Sequence, residues 1–317
     1  MASQKGLTPN QKERLRVLEP ALRNAVKLGN YGDAKRFALD IQNLLRPTGH
    51  ETRLMQAKNW LFEAALESGN LEIAISGFTG VRQKVSPKTR LYLEATAMLA
   101  ICYLRKRDLR KAQPLIDYTL KSLNIIKSES QRRRFRRNIV KRFEEEGMLA
   151  GLSGAGSDIF NIDEIQQAAL ALQVKGESEL ITLLGEVTPP QVVQFLEHLS
   201  DISRKQLPYK EILCLPGPRT ERDHHKLGEK VFSSVKLVIW KSLCDPESEV
   251  YKSWYASGIK TILGKKYVTA AVVAAFSGLG IGLWGIAVYV TALLLKMGIE
   301  VYCDVYQPSS IMGSREA

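Results

Sequence analysis

Twenty-nine consecutive residues near the C-terminus, Tyr267 to Leu295, carry no charge, and Lys265, Lys266 and Lys296 close the run on either side. As one helix this run is about 43 Å long at ~1.5 Å per residue. That exceeds the roughly 30 Å hydrocarbon core of a bilayer. Three folds are open to it: a spanning helix, a hairpin in a membrane, or a hairpin buried in a protein core. Trp254, Tyr255 and Tyr267 at one end, and Tyr302 and Tyr306 at the other, suit the headgroup level of a membrane. Ala271, Ala275, Gly278, Gly282 and Gly285 recur at alternating steps of four and three, a small-residue seam that lets another helix approach closely. Against a single span, SGLGIG (277–282) cuts the run into apolar pieces of about ten and about thirteen residues. Lys260, Lys265 and Lys266 outnumber Lys296, so a spanning helix keeps the N-terminal body in the cytoplasm.

Further upstream the chain repeats itself. LGNYGDAKRFAL (28–39), SGNLEIAISGF (68–78) and KRDLRKAQPLI (106–116) each hold a turn followed by alanine: Gly29 and Ala34, Gly69 and Ala74, Arg107 and Ala112. The alanines are 40 and 38 residues apart. Apolar residues flank each turn at helical spacing, as in Leu99, Ala100 and Tyr103 before the third and Leu109, Ala112 and Ile116 after it. Pro47 and Pro87 fall where the second helix of a pair should stop.

This pattern resembles the tetratricopeptide repeat over roughly residues 10–125. In that family a Leu-small-x-x-Tyr helix leads to a Gly-Asn/Asp turn, and a small residue lets the paired helices pack. Here Arg107 replaces the usual glycine, Ala65 replaces the usual tyrosine, and the period exceeds the family's 34 residues. The resemblance implies a short solenoid of helix pairs that binds a protein partner on a concave surface. An irregular helical bundle is the alternative.

Charge is unevenly distributed. Residues 1–150 hold 29 Lys+Arg against 15 Asp+Glu, and the remainder holds 16 against 18. The basic half should face something anionic. Its densest segment is SESQRRRFRRNIVKRFEEEGML (128–149), a helix with Ser128 or Ser130 as its cap and Phe135, Ile139, Val140 and Phe143 as its apolar stripe. Arg132, Arg133, Arg134, Arg136, Arg137, Lys141 and Arg142 cover its other faces and form the candidate anion-binding set. The readings are a solvated helix face, anionic lipid or nucleic acid.

GMLAGLSGAGSD (147–158) reads as a Gly/Ser-rich break. Three amphipathic helices follow it, then a loop, LCLPGPRTERDHHKLG, and two helices split at Asp245-Pro246. The expected domains are residues 1–127 (repeats), 128–150 (basic helix and linker), 151–215 (a small helical domain) and 216–317 (the C-terminal region). Cys102, Cys214, Cys244 and Cys303 are widely spaced, so neither a disulfide nor a zinc site is expected and a reducing compartment fits best. Asp223-His224-His225 reads as a polar loop, and His50 and His198 have no partners at metal-ligand spacing. No phosphate-binding, zincin or hydrolase motif is present.

The sequence therefore predicts an all-α protein with a tetratricopeptide-like solenoid, a small helical domain and a C-terminal apolar helix or helical hairpin. It predicts no catalytic residue, metal or cofactor. The expected function is that of a non-enzymatic, membrane-associated adaptor or effector whose repeat domain binds a protein partner and whose apolar segment inserts in or oligomerises at a membrane. The alternative is a helical scaffold that binds nucleic acid or a large complex through residues 132–142, with 267–295 buried as a core hairpin.

Overall fold

The computed structural model describes residues 6–156, 158–207, 223–245, 248–255 and 264–305. All of its regular elements in these segments are helices. The chain forms two compact units that divide at Phe143 and Glu144.

The first unit is built from α1 (Pro9–Lys27), α2 (Tyr31–Leu45), α3 (Glu51–Glu67), α4 (Leu71–Lys84), α5 (Arg90–Arg105), α6 (Leu109–Lys121) and the start of α7 (Glu129–Leu152). Thr8 opens α1 with a capping box, its hydroxyl accepting from Gln11 N–H while the Gln11 side chain accepts from Thr8 N–H. Each helix from α1 to α5 packs on its successor, and α3 also packs on α1 and α5.

The three repeated turns share one backbone geometry. Gly29, Gly69 and Arg107 sit at φ 64°, 83° and 59°. At each turn three N–H groups return to the preceding helix in the same order: Leu28, Gly29 and Asn30 to Asn24, Val26 and Ala25; Ser68, Gly69 and Asn70 to Ala64, Leu66 and Ala65; Lys106, Arg107 and Asp108 to Cys102, Leu104 and Tyr103. These bonds satisfy the carbonyls that a helix end leaves orphaned. The next residue then starts the second helix, with the Asn30 and Asp108 side chains accepting from Asp33 N–H and Lys111 N–H. Ala34, Ala74 and Ala112 are fully buried, in keeping with the close packing that the repeat resemblance implies. α2 and α4 end just ahead of Pro47 and Pro87.

The second unit comprises the end of α7 with α8 (Ile162–Ala171), α9 (Glu177–Glu186), α10 (Pro190–Lys205), α11 (His224–Leu243), α12 (Glu249–Tyr255), α13 (Gly264–Leu279), α14 (Trp284–Met297) and α15 (Ile299–Val305). The apolar run is two helices, not one. α13 and α14 pack on each other and on α8, while α9 and α11 complete their surroundings. Val268, Val272, Phe276, Ile286, Val290, Leu293 and Leu294 lie in the core at 1 % exposure or less.

The spanning-helix expectation is corrected here. Helices of 16 and 14 residues are about 24 and 21 Å long, short of a bilayer core. Among the described residues no helix is long and apolar enough to cross a membrane.

The break has a specific cause. Gly280 takes φ 61°, and the two glycine-rich segments of the sequence pair with each other. Gly154 N–H donates to Gly280 O at 2.8 Å, and Asp158 N–H donates to Gly282 O at 3.2 Å. Ser153 Oγ donates to Leu279 O, and the Asp158 carboxylate accepts from Trp284 N–H at the start of α14. A Cβ on Gly282 would lie 2.5 Å from Gly156 O.

Two further features depart from expectation. α7 runs through the Gly147–Leu152 stretch where the sequence suggests a break. Its glycines accommodate α10: a Cβ on Gly147 would meet the Phe195 ring at 2.0 Å, and one on Gly151 would meet Val192 at 2.8 Å. Cys244 and Cys303 form a disulfide across 59 residues, which corrects the expectation of none. Tertiary folding brings the end of α11 beside α15, and the Trp240 indole N–H donates to Cys303 O.

Candidate partner-binding groove

In the first unit, α3 and α4 form a hairpin that leaves a groove of about 550 Å³. Met55, Lys58 and Phe62 of α3 line it at spacings of three and four, so they share one face. Ile73, Gly77, Gly80, Val81 and Lys84 line it from α4. Gly77 has a steric reason: a Cβ there would lie 2.2 Å from the Phe62 ring. Phe62 lies across α4 at this point and packs edge-on against Phe78, with centroids 5.9 Å apart. Gly80 differs, because a Cβ there would meet nothing within 4 Å and would project into open space. Ile73 remains 42 % exposed at one end.

The other end is cationic. Burial lowers the Lys58 pKa, the positive charges of Lys84 and Arg46 lower it further, and Glu51 opposes them. Glu72, at the apolar end, is engaged by Lys106 at 2.5 Å. The groove therefore runs from a hydrophobic mouth beside a neutralised acid to a cluster of like charges.

The residues of the basic set on α7 differ in burial and contacts. Arg142 is 8 % exposed and pairs with Glu67 at 2.7 Å. Glu67 also receives Arg105 at 3.1 Å, and the second Arg105 nitrogen donates to Leu66 O. Arg132 donates to Ile126 O, and Arg133 pairs with Glu129 at the exposed start of the helix. Arg137 and Lys141 are exposed, whereas Arg134 and Arg136 are half-buried. Ser128 serves as the cap, accepting from Gln131 N–H. Phe135, Ile139 and Phe143 form the buried stripe.

The small-residue seam is dispersed by the break. Ala271 and Ala275 are buried on α13, Gly278 is exposed, Gly282 sits in the break, and Gly285 on α14 faces Val187 at ordinary contact distance. Asp223 is the N-cap of α11 rather than part of a loop, accepting from Lys226 N–H at 3.1 Å, and His224 and His225 form the first turn of that helix. His50 Nδ1 lies 2.9 Å from Thr48 Oγ1. Cys102 is buried on α5 and is not part of a disulfide. Among the described residues no group of three His, Cys, Asp or Glu could hold a metal. Cys214, Lys260 and Tyr306 lie outside the described residues, as do the side chains of Trp254 and Tyr255.

Sequence reasoning misses the groove, because neither glycine at its wall stands out in SGFTGV. The signal it offers is a pair of glycines three residues apart, facing an α3 stripe of Met, Lys and Phe. No family model, curated protein or solved structure matches the chain.

Proposed function

We propose that the chain is a non-enzymatic scaffold whose N-terminal unit is a tetratricopeptide-like helical-repeat module that binds a segment of a protein partner. The observation that carries this reading is the groove between α3 and α4, where apolar side chains and the open space beside Gly80 are accessible to a ligand. Its volume falls within the range of small ligand sites, and its elongated lining suits a peptide. The three turns with matching hydrogen bonds support the repeat character of the unit. The basic helix supports a nucleic-acid role less well, because Arg132 and Arg142 are engaged in internal contacts. The apolar run enters the proposal as core rather than as a membrane anchor.

The test is selection of displayed random peptides on the full chain, with a counter-screen on Gly80→Trp. The indole occupies the open space beside Gly80 and leaves the helix intact. Peptides that bind the wild type and fail on the variant are expected. A selection that yields no peptide sensitive to Gly80→Trp contradicts the proposal.

A further inference from the structure

The charge arrangement of the groove specifies more than apolar contact. Lys58 lies on α3 and Lys84 closes α4; because the two helices form a hairpin, the start of one faces the end of the other. Arg46 follows the last residue of α2 and adds a third cation close enough to act on Lys58. None of the three makes a side-chain hydrogen bond or an ion pair among the described residues. Lys84 and Arg46 are exposed; Lys58 is half-buried and contrasts with the half-buried arginines that are paired, Arg53 with Glu19, Arg90 with Glu94 and Arg105 with Glu67. Burial and the charges of Lys84 and Arg46 disfavour the charged Lys58 in the free protein, Glu51 only opposes them, and a ligand anion offsets that cost. Phe62 and Ile73 lie toward the opposite end, beside a glutamate already neutralised by Lys106.

We infer that the groove takes an acidic–apolar peptide segment, its carboxylates at Lys58 and Lys84 and a large apolar side chain over Phe62 and Ile73. This rests on the groove being the partner site. The lining stripe of α4, from Ile73 to Lys84, is about 16 Å long. An extended segment of roughly five residues covers that length. A carboxylate at one end and an aliphatic or aromatic side chain three to five residues away is therefore the signature. A basic segment meets repulsion at the lysines, so the site discriminates by sign of charge as well as by fit.

The experiment repeats the display selection on the full chain and on a Lys58→Glu/Lys84→Glu variant. Both lysines are only partly covered by protein, so the variant retains its helical circular dichroism. The expected result is that groove-dependent peptides from the wild type carry net negative charge with an apolar residue, and that those from the variant carry net positive charge. A synthetic wild-type-selected peptide should lose at least about tenfold in affinity for the variant. Neutral or basic groove-dependent peptides on the wild type, or a pool whose charge is unmoved by the double substitution, overturn the inference and leave the partner groove standing. Loss of every peptide's sensitivity to Gly80→Trp removes the groove itself.

Discussion

Arg107 occupies a backbone position that its two counterparts give to glycine. At φ 59° a side chain crowds the following carbonyl, which costs about 1–2 kcal/mol for an L-residue. Arg107→Gly should therefore stabilise the first unit by about 0.5–1 kcal/mol, after the entropy that glycine returns to the unfolded chain. Gly29→Ala and Gly69→Ala should destabilise it by about 1 kcal/mol each. Denaturant unfolding of the three variants reads both signs, and a destabilised Arg107→Gly contradicts the shared geometry. Glu67 is the other residue on which much depends, because Arg105 and Arg142 converge on it. Glu67→Ala leaves both guanidiniums without that carboxylate and should cost roughly 2–4 kcal/mol in the same assay. Lys58 should behave in the opposite way. Its protonated form is penalised by burial and by two like charges, so Lys58→Met should raise stability by a few tenths of a kcal/mol, the scale of partly exposed charges, while weakening peptide binding.

Among the elements, the broken apolar hairpin is where sequence and structure differ most. Hydropathy and length could establish that residues 267–295 avoid water, but they do not distinguish lipid from protein as the alternative. The deciding interaction is the pairing of Gly154–Asp158 with Gly280–Gly282, two segments more than a hundred residues apart. Each reads in isolation as a flexible stretch, and only together do they explain why both are rich in glycine. The same holds for Cys244 and Cys303, and for Gly185 and Gly228, where a Cβ on either would strike backbone of the facing helix. Helix positions, the repeated turns, the buried alanines and the stripe of α7 were legible because they follow from local spacing. The groove was not, because its shape depends on where Phe62 lies across Gly77. Two of the three glycines of the seam provide a direct test. Gly282→Ala should destabilise the second unit by at least about 2 kcal/mol, since its Cβ has no room beside Gly156 O. Gly278→Ala meets nothing and should be neutral or stabilising by up to about 1 kcal/mol. Equal effects contradict the break.

For the molecule as a whole, the division into two units gives each its own source of stability. The first rests on an apolar core with its repeated turns and the charge pairs at Glu19, Glu67 and Glu94, the second on an apolar core closed by a disulfide. That bond joins residues 59 apart, so Cys303→Ser should cost roughly 4 kcal/mol in the second unit. Non-reducing peptide mapping should recover Cys244 and Cys303 in one linked species. With the apolar run accounted for as core, the open groove of the first unit is the feature that most calls for a ligand. The most direct test is calorimetric titration of one selected peptide into wild type, Gly80→Trp and Gly278→Ala. The account predicts at least about tenfold weaker binding to Gly80→Trp and unchanged binding to Gly278→Ala; equal affinity for all three contradicts it.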